Sequence, residues 1–155
     1  MVGTLAVCYG FAVNDDLEMV AKSDSNVVVC PRANATLNVG VPQLNKMLDL
    51  GIKPLLGSDN VMLNSPNMFR ELEFTLKIMS VCHKSYLNPK ELLKMATTNI
   101  CNTQINDIIE KSVIDVGNPA EFIVSNSFSI DPYLNMINRC ESKNILYAIN
   151  KKVNV

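Results

Sequence analysis

The feature that most constrains this chain is an alternation repeated three times: a short apolar run, then a stretch of helical periodicity. Thr4-Leu5-Ala6-Val7-Cys8 reads as a strand. Asn14 or Asp15 is placed to cap a helix running to about Lys22, with Leu17, Met19 and Val20 as its apolar positions. Val27-Val28-Val29-Cys30 is short and apolar on both faces, the pattern of a buried parallel strand. Pro42 suits the first turn of a helix to Leu50, with Leu44, Met47 and Leu48 inward and Gly51 placed to end it. Ile52 to Leu56 reads as the third strand. The strand starts near positions 4, 27 and 52 are separated by 23 and 25 residues, the spacing of β/α units in a parallel sheet or barrel.

Further helices follow. Asn64 or Ser65 is expected to cap one opened by Pro66, with Met68, Phe69, Leu72, Leu76 and Met79 at helical spacing. Asn88-Pro89 opens another, with Leu92, Leu93 and Ala96 inward, and a short helix is expected over 102–110. After about Ser112 the pattern changes. Phe122-Ile123-Val124, Ile145 to Ile149 and Val153-Asn154-Val155 read as strands, with Asn150-Lys151-Lys152 as the turn of a hairpin. Three β/α units cannot close a barrel, which needs eight. An open sheet of three such strands leaves unpaired edges. The chain is therefore expected to pair with a missing N-terminal half, a separate subunit or a swapped copy of itself.

Composition removes several function classes. Apolar residues are 48% and charged residues 19%, so the chain is not of disordered type. Net charge is -1, and Lys143, Lys151 and Lys152 are too sparse for a nucleic-acid platform. No apolar run reaches membrane-span length. Met1 to Phe11 lacks a basic start and runs into Asp15, Asp16 and Glu18, against a signal peptide. The five cysteines (Cys8, Cys30, Cys82, Cys101, Cys140) are odd in number and contain no CxxC pair, so reduced core cysteines and a cytoplasmic setting are expected.

In parallel α/β folds ligands bind where strands end. Three loops meet that condition. Cys8-Tyr9-Gly10 offers a thiol, or simply a cysteine finishing a strand. Cys30-Pro31-Arg32-Ala33-Asn34 offers Arg32, able to grip a carboxylate or phosphate with two N–H groups, or to bond loop carbonyls. Gly57-Ser58-Asp59-Asn60 puts the Asp59 carboxylate directly after an apolar strand. There it suits metal ligation and proton acceptance from water, or the capping of a turn. His83, the single histidine, lies near a helix end, where a solvated role is expected. Met68 and Met79 read as core, and Lys84, Lys90 and Lys94 as a solvated face.

Taken in order, Val28 to Asn34, Val39-Gly40-Val41-Pro42, Met47 to Ile52 and Leu56 to Asn60 resemble the amidohydrolase superfamily. The nearest branch is that of cytosine deaminase, chlorohydrolase and imidazolonepropionase-like enzymes. Asn64 to Glu71, Leu93-Lys94-Met95-Ala96-Thr97 and Ala120 to Val124 continue the resemblance over nearly the whole chain. It implies a partial (β/α)8 TIM barrel, about its last three β/α units, over residues 1–112. Residues 113–155 would be the C-terminal strands of a small β-sandwich domain.

The resemblance also implies that Asp59 is the family's strand-eight aspartate, a metal ligand and the proton acceptor for the attacking water. Ser58 and Asn60 flank it, and with Cys8, Arg32 and Asn34 they are candidate substrate-binding residues. A divalent metal, zinc or iron, is implied, but its His-x-His pair and further histidine come from strands one and five, which this chain lacks. Cys8 stands where the family commonly has a strand-six histidine. Thr98-Asn99 continues as Ile100-Cys101 where a glycine is usual. The expectation is a fragment or incomplete copy of a metal-dependent amidohydrolase, hydrolysing or deaminating a C–N bond of a small molecule. As this chain alone it is expected to be inactive and metal-free. The other expectations are a non-catalytic, oligomerising remnant or a small-ligand-binding module using Arg32 and Asn34.

Overall fold

The computed structural model of the chain describes residues 5–7, 14–23, 25–102 and 113–151. The alternation of the first third becomes β1 (Leu5–Val7), α1 (Asn14–Ala21), β2 (Asn26–Val29), α2 (Pro31–Leu37), α3 (Leu44–Asp49) and β3 (Leu55–Leu56). The strands form one parallel sheet in the order β1-β2-β3, with Ala6 opposite Val27 and Val29 opposite Leu56. The central strand β2 buries Val27 and Val29 completely, as its β-branched run requires.

The third strand is shorter than Ile52 to Leu56 for a covalent reason. Pro54 has no N–H to give a ladder, so pairing begins at Leu55. The Pro54 carbonyl is taken instead by the side chain of the buried Asn99, at 2.8 Å. In α1, Leu17 is buried and Val20 packs on the core, but Met19 is 71% exposed, contrary to its assigned inward place. Leu44 and Met47 of α3 are buried. Pro42 lies just before α3, its carbonyl accepting from the Leu44 N–H at 2.9 Å. Gly51 follows that helix at φ 78°, the left-handed conformation that suits glycine.

The next layer is helical. α4 (Met68–Cys82) is capped by Asn67, whose side chain accepts from the Arg70 N–H at 3.2 Å, rather than by Asn64 or Ser65. Leu72 and Met79 are buried along it, whereas Met68 in its first turn is 38% exposed and not core. α5 (Pro89–Met95) has Asn88 as its cap and buries Leu92 and Met95. A 3-10 turn follows at Thr98–Asn102, and the helix expected over 102–110 lies, beyond Asn102, outside the described residues.

The last part holds β4 (Ala120–Ser125), α6 (Pro132–Asn138) and β5 (Ile145–Lys151). β4 and β5 pair antiparallel, Ala120 opposite Lys151. Asn150 and Lys151 are therefore strand, not turn; the expected partner strand at 153–155 lies outside the described residues. α6 has no counterpart among the elements expected from the sequence, although Asp131-Pro132 carries a helix-start signal. Those two residues are its start. Asp131 Oδ1 accepts from the N–H groups of Tyr133 and Leu134 at 2.8 and 2.9 Å, and Pro132 occupies the first helical position. α6 packs on α4 and α5, and its Ile137 joins the core formed by Leu17, Val27, Leu44, Leu72 and Leu92. Asp131→Ala is expected to cost about 0.5–2 kcal/mol in a urea titration, the usual loss for a helix cap.

Cys30 and Cys140 are buried, but Cys82 is exposed, so it is not a core cysteine. Cys8 and the Cys101 side chain lie outside the described residues. No helix among the described residues is long and apolar enough to cross a membrane.

Candidate functional site

Because the sheet is parallel, the carboxyl ends of β2 and β3 share one edge. The ladder continues one residue past β3: the Gly57 N–H donates to the Val29 carbonyl at 2.9 Å. A side chain here would force a neighbour to shift. A Cβ on Gly57 would stand 2.9 Å from Val28 Cγ1 and 3.2 Å from Cys30 Sγ. Gly57→Ala is expected to cost about 1–3 kcal/mol, the scale of overpacking in a fitted core, measured as a fall in thermal midpoint. Glycine at this point lets the strand lie against β2 before the chain turns out.

The chain then presents Asp59 on that edge. Its backbone is left-handed, φ 58°, a conformation Asp and Asn tolerate better than other residues with a Cβ. The side chain is exposed, and its Oδ1 accepts from the Asn60 N–H at 2.7 Å. Asn60 holds the following turn: its Oδ1 accepts from the Met62 N–H at 2.8 Å, and its carbonyl from the Leu63 N–H at 3.0 Å. Ser58 is half-buried beside Asp59.

Arg32 and Asn34 are not on a strand-end loop. Pro31 starts α2 immediately after Cys30, so both sit on a helix that Asn38 ends at φ 54°. Arg32 Nη1 lies 2.8 Å from Glu71 Oε1 and 3.4 Å from the Ser65 carbonyl. Asn64 also meets the start of α2. Its Oδ1 is 3.4 Å from Arg32 Nη2, or, with the amide turned over, accepts from the Ala33 N–H at 3.3 Å. Of the two uses open to Arg32, the geometry displays bonding to the loop and to Glu71.

Glu71 was quoted in the sequence only as part of the family resemblance, with no role. It is completely buried on α4, and its Oε2 has no hydrogen-bond partner. Burial pushes its carboxyl above the ordinary value, and the Arg32 guanidinium pulls it back only in part. The available signal was its place beside Leu72 and three residues after Met68, inside an apolar stripe where a lone carboxylate needs a partner. Asn34 is likewise fully buried, with neither end of its amide hydrogen-bonded.

His83 caps the C-terminal end of α4 in solvent, as expected. Cys8 lies outside the described residues. Among the described residues no group of three or more His, Cys, Asp or Glu side chains is arranged to hold a metal ion. A catalytic divalent site needs about three protein ligands and an open position. A lone carboxylate such as Asp59 is fewer ligands than such a site requires.

A family model described as the amidohydrolase family matches residues 1–155. A putative aminohydrolase of Methanothermobacter thermautotrophicus is 47% identical over 139 residues, 90% of this chain and 35% of that protein. A 5-methylthioadenosine/S-adenosylhomocysteine deaminase of Pyrococcus furiosus is 38% identical over 91 residues, 55% of this chain and 21% of that protein. An adenosine deaminase from Xanthomonas campestris with bound zinc superposes with a TM-score of 0.82 at 17% identity, over 94% of this chain and 35% of that one. Guanine deaminase of E. coli gives 0.77 at 18% identity, over 96% and 38%. At such identities the superpositions establish shared fold. The chain spans about a third of the length of the curated relatives it matches.

Proposed function

The chain belongs to the amidohydrolase family, and from that premise we propose that it is the Asp59-bearing part of a hydrolytic deaminase. Residues 1–112 would be the closing β/α units of a (β/α)8 barrel, and residues 113–155 would belong largely to an attached β domain. The observation that carries this reading is the position of Asp59. It is an exposed carboxylate on the carboxyl edge of a parallel sheet, two residues beyond the last ladder bond.

The chemistry asked of Asp59 is proton transfer. Water adds its oxygen to an amino-bearing sp² carbon, Asp59 takes the proton released, and the leaving nitrogen receives it as the C–N bond breaks and ammonia departs. A divalent metal would supply the Lewis acidity for that addition, and its remaining ligands must come from a segment carrying histidines. On this account the chain alone is inactive and holds no catalytic metal. Asn60 acts by holding the turn that follows Asp59. The names of the relatives suggest an aminopurine nucleoside or its thioether derivative as substrate.

The test joins this chain to the portion of the Methanothermobacter thermautotrophicus relative that it does not match and measures ammonia release from adenosine and 5-methylthioadenosine. Metal-dependent release that needs both segments is expected. Equal release by the chain alone, or none from the joined protein with metal bound, would overturn the reading.

A further inference from the structure

We propose that Arg32 and Glu71 are a positioning pair that anchors the exit of the Asp59 loop and so fixes where the Asp59 carboxylate stands. This rests on the reading of Asp59 as the reactive carboxylate and extends it to two residues that need not touch substrate. The loop leaves the sheet at Gly57, bonded to Val29, and re-enters helix at Asn67. Arg32 reaches its far end from the first turn of α2, the helix that follows the neighbouring strand. One guanidinium meets Glu71 at 2.8 Å, the Ser65 carbonyl at 3.4 Å and the Asn64 side chain at 3.4 Å. Both ends of the loop are thereby referred to the same strand–helix unit, β2–α2, and Asp59 lies between them.

The alternative use of Arg32, binding a substrate anion, is poorly served by this arrangement. Its positive charge faces a carboxylate that is completely buried and held on a rigid helix. An incoming anion would have to leave that carboxylate without its counter-ion, a costly exchange. A buried pair of this kind adds little net stability compared with apolar packing. What its planar fork supplies is a fixed geometry toward several acceptors at once.

The test is amide hydrogen exchange, by NMR, on the full 155-residue chain. The Met62 and Leu63 amides both bond Asn60 and report the turn next to Asp59; the Gly57 and Leu92 amides serve as references in the sheet and in α5. The double variant Arg32→Met with Glu71→Leu removes both charges, so no unpaired ion is left buried. Exchange at Met62 and Leu63 is expected to rise about tenfold, with Gly57 and Leu92 unchanged, as for a local opening. Glu71→Gln keeps a carbonyl acceptor for Arg32 and is expected to loosen the loop less than the double variant does. Unchanged loop exchange in the double variant, or loosening by Glu71→Gln equal to that of the double variant, would overturn the proposal.

If the double variant raises exchange everywhere, Arg32→Lys decides. It keeps the counter-charge but loses the fork, and faster exchange confined to the loop supports the pair while none refutes it. The readout needs neither metal nor turnover, so a failure of the deaminase reading, seen in ammonia release, is separable from a failure of this one.

Discussion

Replacing Asp59 by Asn is expected to lower turnover of the assembled hydrolase by about 10²–10⁴-fold, the range lost with a positioned general base. Asn is the informative replacement because it changes little else. It tolerates the left-handed backbone that Asp59 adopts, where most side chains would add strain. Its amide oxygen can accept from the Asn60 N–H as Asp59 Oδ1 does. The side chain is exposed, so folding stability should stay within about 0.5 kcal/mol of the parent. The expected signature is therefore lost kcat with an unchanged urea midpoint. A variant that kept its turnover would remove Asp59 from the chemistry. One that lost stability in proportion would make it a turn residue.

The largest structural effect is expected at Leu92. Its side chain is completely buried on α5, the helix that packs against β3 on one side and against α4 and α6 on others. Leu92→Ala removes apolar surface and leaves a void at that junction, at a cost of about 2–5 kcal/mol. Whole domains are held by only about 5–15 kcal/mol. The variant is expected to shift the urea midpoint far down and to populate unfolded chain. Leu92→Met, which nearly conserves volume, is expected to cost less than about 1.5 kcal/mol. Equal costs for the two would mean that the site collapses around any side chain and that packing at this junction is loose.

The sequence was legible where one physical cause dominated. Short apolar runs at regular spacing gave β1 and β2, and Asn88-Pro89 gave the start of α5. It was ambiguous where a residue type serves two ends. Pro31 after Cys30 reads as part of a strand-end loop and is instead the first position of a helix. Pro54 shows the converse, since its missing N–H shortened a strand whose hydropathy ran further back. The place of Asp59 at the end of an apolar strand was legible, but not a role for it, because a turn-capping Asp leaves the same pattern and only the family resemblance assigns it chemistry. Glu71 was not legible, because its partner is 39 residues away and only the packing of α2 against α4 brings them together. The β4–β5 pairing was hidden for a related reason: Ala120 meets Lys151 across a long connection, and the local turn signal at 150–152 pointed to a nearer partner.

The most direct test of the central claim is the metal content of the purified protein. It is measured for this chain alone and for the chain joined to the unmatched portion of its aminohydrolase relative, each with and without Asp59→Asn. The account predicts well under one metal ion per chain when it is alone. It predicts stoichiometric zinc or iron when joined, and weaker retention when Asp59 is replaced. Stoichiometric metal on the chain alone, or retention in the joined protein that is indifferent to Asp59, would contradict it.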